Sequence, residues 1–318
     1  MLLWRADRSL VGYEVLAVIS CHFAPILTSP GTSGLGAGFI SLIAARTPAK
    51  MFLSGRSKTK ADALISKVSS ISPSTEVIFL EADLSSLASV RQMAQTFLAK
   101  SSRLDVLMLN AGIMATPPAL SADGYESQFA TNHLGHALLI KLLLPTLLST
   151  SHEPDSDVRI ISMSSVAHAL TPKSGIEFSS LKTTQDGLGP LYQPSNFTRY
   201  GQSKLANLLY AKQLALRHPQ LLSVSVHPGF VKTDMVAGAS LKDRAIVAMA
   251  SKGNWTKVED GPYNQTWAAT AERERLRNGA YYEPIGLDVK GSTKWVDDKV
   301  LGERLWTWTE GELEAWVL

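Results

Sequence analysis

The chain has 318 residues, of which 45% are hydrophobic and 19% charged, so it can bury a large core and is not intrinsically disordered. Its formal net charge of +3 is too small to indicate nucleic-acid binding. The single cysteine, Cys21, excludes an internal disulfide framework and any multi-cysteine metal site, which fits a reducing, cytoplasmic compartment.

Residues 1–23 form an N-terminal extension whose structure the sequence does not define. The apolar stretch 10–28 is interrupted by Glu14, which is costly inside a bilayer, and it lacks the pattern of a cleavable signal peptide. We therefore expect no membrane association. An anchor through residues 10–28 is the alternative.

Strand-like and helix-like segments alternate after this extension. The predicted strands are 24–29, 50–54, 76–80, 104–109, 158–163, 222–226 and 280–282. The predicted helices are one that begins near Ala37, then 58–69, 86–100, 127–148, 200–217 and 259–276. Apolar strands separated by helices predict a parallel sheet covered on both faces, a doubly wound, Rossmann-type α/β domain over 24–318. Residues 231–258 do not continue this alternation of strands and helices. They fit either a mobile helical lid over an apolar ligand or a plain pair of surface helices.

A glycine-rich turn, S-P-G-T-S-G-L-G, occupies residues 29–36 between the first strand and a helix. Glycines in this context let backbone N–H groups approach a pyrophosphate at the positive end of the helix. Twenty residues after Gly36 lies Arg56, followed by Ser57 and Lys58. An acidic residue there would bind a ribose 2′-hydroxyl, whereas a guanidinium binds a 2′-phosphate, so the predicted cofactor is NADP(H) rather than NAD(H).

Tyr200 and Lys204 lie four residues apart at the head of a predicted helix, so both project from one face. A neighbouring ammonium favours the phenolate, and we expect it to lower the pKa of Tyr200 enough for proton exchange with a carbonyl or alcohol oxygen. The spacing alone is not specific. Its support comes from Ser165 and Asn110, which follow two neighbouring strands at the sheet edge where ligands bind.

These pieces together resemble the short-chain dehydrogenase/reductase family over residues 24–308. The matching motifs are G-T-S-G-L-G (31–36), S-G-R (54–56), A-D-L (82–84), N-A-G-I-M (110–114), T-N-H-L-G-H (131–136), S-M-S-S (162–165), Y-G-Q-S-K-L-A-N (200–207) and H-P-G-F-V-K-T (227–233). The spacing between Ser165 and Tyr200, with G-A-Y-Y-E-P at 279–284, is similar to the branch of retinol dehydrogenases and WW-domain oxidoreductase-like enzymes.

The resemblance implies a catalytic tetrad of Asn132, Ser165, Tyr200 and Lys204. Tyr200 would donate or accept the proton, and Ser165 would hold the substrate oxygen. Lys204 would tune Tyr200 and hold the nicotinamide ribose, while Asn132 would anchor a water of the proton relay. The residues expected to bind the cofactor are Gly31, Ser33, Gly34, Leu35, Gly36, Arg56, Ser57, Lys58, Asp83, Asn110, Ala111, Gly112, Tyr200, Lys204, Pro228, Gly229, Val231 and Thr233.

Within that set, Asp83 would contact the adenine and Asn110 would line the adenosine side. Pro228, Val231 and Thr233 would border the nicotinamide.

The glycine-rich turn departs from the family pattern, T-G-x-x-x-G-x-G, at Ser29 and Pro30. Proline lacks an N–H and cannot adopt a positive φ, so the tight turn of the missing glycine is altered. Three accounts are open: Gly31 compensates from the next position, the cofactor binds weakly, or residues 1–30 come from an incorrectly predicted coding segment.

The leading prediction is an NADP(H)-dependent oxidoreductase, a ketoreductase of secondary metabolism, that interconverts a carbonyl and an alcohol on an apolar small molecule. The alternative is a catalytically silent nucleotide-binding protein that acts through partners. The complete tetrad favours the enzyme, and Pro30 favours the alternative.

Two further expectations concern metals and oligomers. His133 and His136, three apart on a helix without a matching third ligand, are predicted to be structural, so we expect no metal site. Helices 127–148 and 200–217 could pair in a homodimer, as the family often does, and a monomer is equally compatible with the sequence.

Overall fold

A mostly parallel sheet runs through the structure, a computed structural model that describes residues 25–191 and 193–317. The predicted extension, Cys21 and the start of the first predicted strand lie outside the described residues. The strands are β1 (Ile26–Ser29), β2 (Lys50–Gly55), β3 (Glu76–Glu81), β4 (Val106–Leu109), β5 (Arg159–Met163), β6 (Leu222–Val226), β7 (Phe230–Val231), β8 (Trp255–Thr256), β9 (Tyr281–Glu283) and β10 (Leu287–Asp288).

The order of the strands confirms the doubly wound fold. The main sheet runs β10-β9-β6-β5-β4-β1-β2-β3, with every pair parallel except β9 and β10, while β7 and β8 form a separate ribbon. The chain leaves β1 towards β2 and β3 and then returns to β4 on the other side of β1. This reversal is the topological switch point at which open α/β sheets bind their ligands.

Helices cover both faces of the sheet. They are α1 (Gly34–Ala44), α2 (Lys58–Ile71), α3 (Leu87–Leu98), α4 (Ser127–Ser151), α5 (Ser195–Arg217), α6 (Asp234–Ala237), α7 (Leu241–Ser251), α8 (Tyr263–Thr270) and α9 (Lys299–Glu312). Successive strand residues point to opposite faces, so Ile26 joins a core with α1, α2 and α8, whereas Leu27 joins one with α3, α4, α5 and α9.

Two helices, α5 and α8, have bounds that differ by about four to six residues from the sequence prediction, and a proline precedes the start of each. Pro194 has extended backbone and caps α5, so this helix begins at Ser195 and places Tyr200 in its second turn rather than at its head. Pro262 caps α8, which begins at Tyr263 instead of residue 259. Helix α8 also ends early, at Thr270, because Ala271 is extended.

Helix α4 is long and apolar enough to cross a membrane, but its environment is the protein core. Of its most apolar window, 61% is buried inside the protein. The helix also contains a π turn, Ala130–Leu134, which lies beside the site described below. Its apolar composition therefore reflects packing against the sheet and against α3 and α5.

Helix α5 packs unusually close to the turn that follows β5. A Cβ atom on Gly201 would lie 2.1 Å from the carbonyl oxygen of Leu170 and 2.6 Å from that of Ala167. Only a residue without a side chain permits this approach, which holds Tyr200 against the turn beginning at Ser165.

We expect Gly201→Ala to lower the free energy of unfolding by about 1–3 kcal/mol, because the added methyl group meets backbone atoms that cannot move freely. The control is Gly311→Ala in α9, where the described chain has no atom within 4 Å of the added Cβ. Since alanine has the higher helix propensity, this control should be unchanged or up to ~1 kcal/mol more stable. Chemical denaturation measures both, and equal stabilities would contradict the close packing.

Candidate active site

Two adjoining cavities lie at the carboxyl ends of β1, β4, β5 and β6. The larger, of about 1000 Å³, is lined by the glycine-rich turn, by residues 110–118 and by parts of 233–243. The smaller, of about 310 Å³, is lined by Ser165, Tyr200 and Lys204 and by mostly apolar side chains. Both cavities share Leu35, Asn110 and Gly112, so a molecule in one can meet a molecule in the other.

Ser165, Tyr200 and Lys204 come together in the smaller cavity, as the sequence predicted. The side chains of Tyr200 and Ser165 lie close enough to interact. Lys204 Nζ lies 5.6 Å from the centre of the Tyr200 ring and donates a hydrogen bond to the carbonyl oxygen of Met163 at 3.1 Å. Tyr200 and Lys204 are 7% and 3% exposed, which leaves the cavity as their access to a ligand.

The expected lowering of the Tyr200 pKa is wrong for this structure. Burial raises the pKa of Tyr200 to about 12, and the interaction with Ser165 offsets part of that rise. Burial also lowers the pKa of Lys204 to about 7, because the ammonium loses its hydration. About half of the lysine is therefore neutral near pH 7. Burial thus weakens the attraction between the Lys204 ammonium and the Tyr200 phenolate, which was expected to lower the pKa of Tyr200.

Asn132 lies in the π turn of α4 and is fully buried. Its Oδ1 accepts a hydrogen bond from the N–H of Ile113 at 2.8 Å, and its Nδ2 donates to Ile113 O at 3.0 Å and to Ser203 Oγ at 2.9 Å. Ser203 Oγ in turn donates to the carbonyl oxygen of Tyr200 at 2.7 Å. The Asn132 side chain therefore braces Tyr200 against the loop after β4, and its role in anchoring a water stays a prediction.

The glycine-rich turn shows how the chain accommodates Pro30. The carbonyl oxygen of Pro30 accepts a hydrogen bond from Asn110 Nδ2 at 3.1 Å, and the Gly31 N–H donates to Ser54 O at 2.8 Å. Gly31 packs so tightly that a Cβ would lie 2.8 Å from Leu53 Cβ, while the positive φ of the turn, +53°, falls on Gly34. Gly31 thus supplies close packing rather than the missing left-handed backbone.

The residues around this turn fit a dinucleotide. A Cβ on Gly36 would lie 2.2 Å from Pro30 O, so the start of α1 and the turn form a tight backbone cradle. Ser33 caps α1 without a side-chain hydrogen bond to the described residues, and Asn110 Oδ1 is buried without a described partner beside both cavities. The backbone N–H groups can donate to a pyrophosphate, and the unsatisfied amide oxygen can accept a hydrogen bond from a ribose hydroxyl.

Arg56 and Asp83 face each other just after β2 and β3, and neither residue lines the two cavities. The Arg56 guanidinium lies 3.9 Å from Asp83 Oδ2, and both side chains are accessible, at 78% and 42% of their surface. Ser57 instead accepts from the Lys60 N–H at 3.3 Å as the cap of α2, and Lys58 Nζ donates to Asp62 at 2.8 Å. Since these two side chains are engaged within α2, their part in binding a cofactor stays a prediction.

The remaining predicted residues also reach the two cavities. Ala111 and Gly112 line the larger one, and a Cβ on Gly112 would lie 3.1 Å from Lys204 Nζ. Four residues that follow β6 line the smaller one, namely Pro228, Gly229, Val231 and Thr233. The segment 231–258 folds as α6, α7 and part of the β7–β8 ribbon, and Val236, Ile246 and Val247 extend the apolar wall of the smaller cavity.

His133 and His136 make structural contacts. His133 Nε2 lies 3.0 Å from Thr309 Oγ1 of α9, and His136 Nδ1 lies 3.1 Å from the Asn132 carbonyl oxygen. Burial lowers the pKa of His133 to about 3 and that of His136 to about 4, so both rings are neutral at physiological pH. Over residues 25–191 and 193–317, no group of three or more metal-ligating side chains is present.

One supporting pair was not predicted from the sequence. Arg199, next to Tyr200, forms an ion pair with Glu126 at 2.9 Å, and both side chains are fully buried. Glu126 also accepts from the Phe129 N–H at 2.7 Å, while Arg199 Nη2 donates to Thr116 O at 2.8 Å. The pair joins the starts of α4 and α5, and its only sequence signal is the position of Arg199 beside the tyrosine.

Comparisons with known proteins agree with this geometry. A family model described as short chain dehydrogenase matches residues 26–189. The short-chain dehydrogenase/reductase drtF of Aspergillus calidoustus is 34% identical over 300 residues, which cover 90% of this chain and 92% of that protein. An uncharacterized oxidoreductase of Schizosaccharomyces pombe is 41% identical over 288 residues, covering 88% of this chain and 82% of its own.

Solved structures share the fold. A putative uncharacterized protein from Mycobacterium paratuberculosis has a TM-score of 0.68 and 28% identity, covering 92% of this chain and 93% of that one. RhlG of Pseudomonas aeruginosa, solved with NADP, has a TM-score of 0.61, 20% identity and coverage of 85% and 98%. A Brucella melitensis 3-oxoacyl-[acyl-carrier protein] reductase, solved with NAD, has a TM-score of 0.64, 20% identity and coverage of 83% and 96%.

The pKa of Lys204 predicts how stability depends on pH. Its folded-state pKa, about 7, lies below the ordinary value of 10.5, so between these values the unfolded chain binds more protons than the folded one. The free energy of unfolding should therefore rise with pH across this window, by at most about 1.4 kcal/mol per pH unit.

Lys204→Met should remove this contribution, so the stability advantage of the variant over the wild type should shrink between about pH 7.5 and about pH 9.5. Both pH values lie below the range in which Tyr200 ionises. Urea denaturation of the two proteins without cofactor measures the difference, with the exposed Lys60→Met as control. An advantage independent of pH would contradict the lowered pKa.

Proposed function

Because the chain belongs to the short-chain dehydrogenase/reductase family of oxidoreductases, we propose that it uses NADP(H) to interconvert a carbonyl and an alcohol on an apolar small molecule. The observation that carries this proposal is the meeting of Ser165, Tyr200 and Lys204 in an apolar cavity that adjoins the glycine-rich turn. The family uses a nicotinamide cofactor. In this arrangement, a cofactor bound in the larger cavity would contact a substrate bound in the smaller one.

In this proposal the protein supplies the proton and the positioning. The bound nicotinamide supplies or accepts the hydride. In the reducing direction, Tyr200 Oη gives its proton to the carbonyl oxygen of the substrate, while Ser165 Oγ donates a hydrogen bond to the same oxygen. Lys204 keeps one donor on Met163 O and has others for the cofactor ribose and for stabilising the phenolate left on Tyr200.

Arg56 supports NADP(H) over NAD(H). Its accessible guanidinium lies beside Asp83, the residue expected at the adenine, where a 2′-phosphate would supply a second anionic partner. The solved neighbours include complexes with either cofactor, so Arg56 rather than the fold favours NADP(H).

The smaller cavity supports an apolar substrate. Its wall includes Met114, Leu170, Phe197, Phe230, Val236 and Ile246. At about 310 Å³ it suits a molecule of modest size, and these side chains offer that molecule an apolar surface. The finer expectations of a cytoplasmic location, a place in secondary metabolism and membership of the retinol dehydrogenase branch stay predictions.

We propose that the chain does not dimerise through α4 and α5. Helix α9 covers both of them: Glu310 accepts from Lys141 Nζ at 2.6 Å and from Tyr210 Oη at 2.9 Å. Trp306 stacks on Tyr210 with ring centres 4.9 Å apart, and Trp308 packs edge-on against Phe129 at 5.7 Å. A second copy would have to displace these contacts, so the homodimer expected as one option is disfavoured at this face.

The alternative function, a silent nucleotide-binding protein, relied on Pro30. The hydrogen bond from Asn110 to the Pro30 carbonyl oxygen and the cradle at Gly36 support cofactor binding despite the proline. Because Ser165, Tyr200 and Lys204 also line one cavity beside this cradle, we retain the enzyme as the proposed function.

Tyr200→Phe tests the proton donor. Removing the hydroxyl should lower kcat for the reduction of a carbonyl substrate by about 100-fold or more, because no other acid replaces it. NADPH binding, followed by the fluorescence of the reduced nicotinamide, should change by less than about 3-fold, since the ring still packs. Wild-type turnover in the variant would show that the donor is another group, and failure of the wild type to bind NADPH would overturn the proposed function.

Arg56→Ala tests the choice of cofactor. Loss of the guanidinium should raise KM for NADPH by about 10-fold or more while leaving KM for NADH nearly unchanged, because only NADPH carries the 2′-phosphate. The matched control is Lys60→Ala, another exposed cation of the same region, for which both KM values should stay near wild type. Equal effects of Arg56→Ala on the two cofactors would contradict the assignment.

A further inference from the structure

His227 is a buried imidazole in the wall of the smaller cavity. It is 5% exposed and shares that wall with Ser165 and Tyr200. Its position is fixed by the backbone, since its N–H donates to Tyr282 O at 2.9 Å and its carbonyl oxygen accepts from Asn264 Nδ2 at 2.7 Å. The imidazole is therefore part of the preformed site rather than a side chain that swings in from solvent.

The ring of His227 has no hydrogen-bond partner in the described part of the chain. Its Nδ1 is enclosed and unpaired, and its closest aromatic neighbour, Phe230, meets it edge-on with ring centres 5.8 Å apart. The three other buried histidines of the described residues behave differently. His133 contacts Thr309 Oγ1, His136 contacts the Asn132 carbonyl oxygen, and His168 Nδ1 lies 2.7 Å from the Ser165 carbonyl oxygen.

The protonation state of the ring makes it a hydrogen-bond donor. Burial lowers the pKa of His227 to about 3, so at physiological pH the imidazole is neutral and carries one proton. A proton on the enclosed Nδ1 would be a buried donor without an acceptor, which is costly. The proton therefore belongs on Nε2, the ring nitrogen that is not enclosed, and His227 offers an N–H to the cavity.

The position of the donor relative to the reacting group follows from the sheet. The N–H of Ser164 donates to Val226 O at 2.8 Å, so the residues that follow β5 and β6 run side by side. Neighbouring strands lie about 4.8 Å apart, so the backbone of His227 lies roughly that distance from the backbone of Ser164, the residue before Ser165. A substrate whose reacting oxygen lies at Ser165 and Tyr200 therefore occupies the cavity whose wall includes His227.

We propose that His227 is a specificity-determining residue that donates a hydrogen bond to a second oxygen of the substrate. The preferred substrates are then carbonyl compounds, or the corresponding alcohols, that carry a hydroxyl or carbonyl oxygen on the carbon next to the reacting one. This inference rests on the proposed function, because it takes Ser165 and Tyr200 as the groups that hold the reacting oxygen.

Two aryl ketones that differ by one group test this assignment. Phenacyl alcohol and propiophenone carry a hydroxyl and a methyl group, respectively, on the carbon next to the carbonyl. Wild-type enzyme should reduce phenacyl alcohol with the higher kcat/KM. His227→Phe should lower kcat/KM for phenacyl alcohol by about 10-fold and leave that for propiophenone within about 3-fold, because only the first ketone loses a hydrogen bond. Comparing each variant with wild type cancels the intrinsic reactivities of the ketones.

Three controls separate specificity from structure. His227→Gln keeps an amide N–H near the position of Nε2 and should retain the preference for phenacyl alcohol, even if His227→Phe folds poorly. His152→Phe, at an exposed position after α4, should leave both ketones unaffected. KM for NADPH should stay at the wild-type value in all variants.

Distinct results overturn the proposal. If His227→Phe lowers kcat/KM equally for both ketones, or raises KM for NADPH, the imidazole serves the fold or the cofactor instead. If the wild type binds NADPH but reduces neither ketone, the assigned substrate class is wrong. Failure to bind NADPH at all is a failure of the proposed function, and it is measured separately by nucleotide fluorescence.

Discussion

The site depends on the attachment of α5 to the end of β5. Lys204 Nζ and Asn207 Nδ2 both donate to the carbonyl oxygen of Met163, at 3.1 Å and 3.0 Å. In the opposite direction, Ser164 Oγ donates to the Lys204 carbonyl oxygen at 2.8 Å. These reciprocal bonds join a helix to a strand end in an apolar interior, where hydrogen bonds are strong and their loss is costly. Tyr200 and Ser165 can meet because the elements that carry them are fixed in this way.

The same burial that orders the site sets its acid–base properties. An ammonium and a phenol brought together in water would shift each other's pKa values towards the charged forms. In this interior, desolvation outweighs that attraction, and both Lys204 and Tyr200 are shifted towards neutrality. The protein on its own therefore holds the proton on Tyr200, which is the form required of an acid that reduces a carbonyl. Whether Tyr200 becomes a phenolate during the reaction depends on the cofactor and substrate that bind beside it.

Much of the fold and the site could be predicted from the sequence because the signals were local. The apolar runs of β2, β4 and β5 are short and continuous, and the polar residues that follow them had to lie at one sheet edge. What could not be predicted depended on contacts between distant segments. The π turn around Asn132 has no pattern of its own, and it is held by Ile113, Ser203 and Thr309. The sign of the Tyr200 pKa shift likewise required knowledge of burial, which a four-residue spacing does not contain.

Helix α9 has a consequence for how the chain is made. It follows every strand of the main sheet in chain order, yet it covers the outer sides of α4 and α5 through Leu305, Thr309 and Trp306. During synthesis from the N-terminus, the glycine-rich turn, α5 and the main sheet leave the ribosome before α9 can cover them. Until α9 leaves the ribosome, the nascent protein exposes the apolar outer sides of α4 and α5, and during that interval it has most need of chaperones.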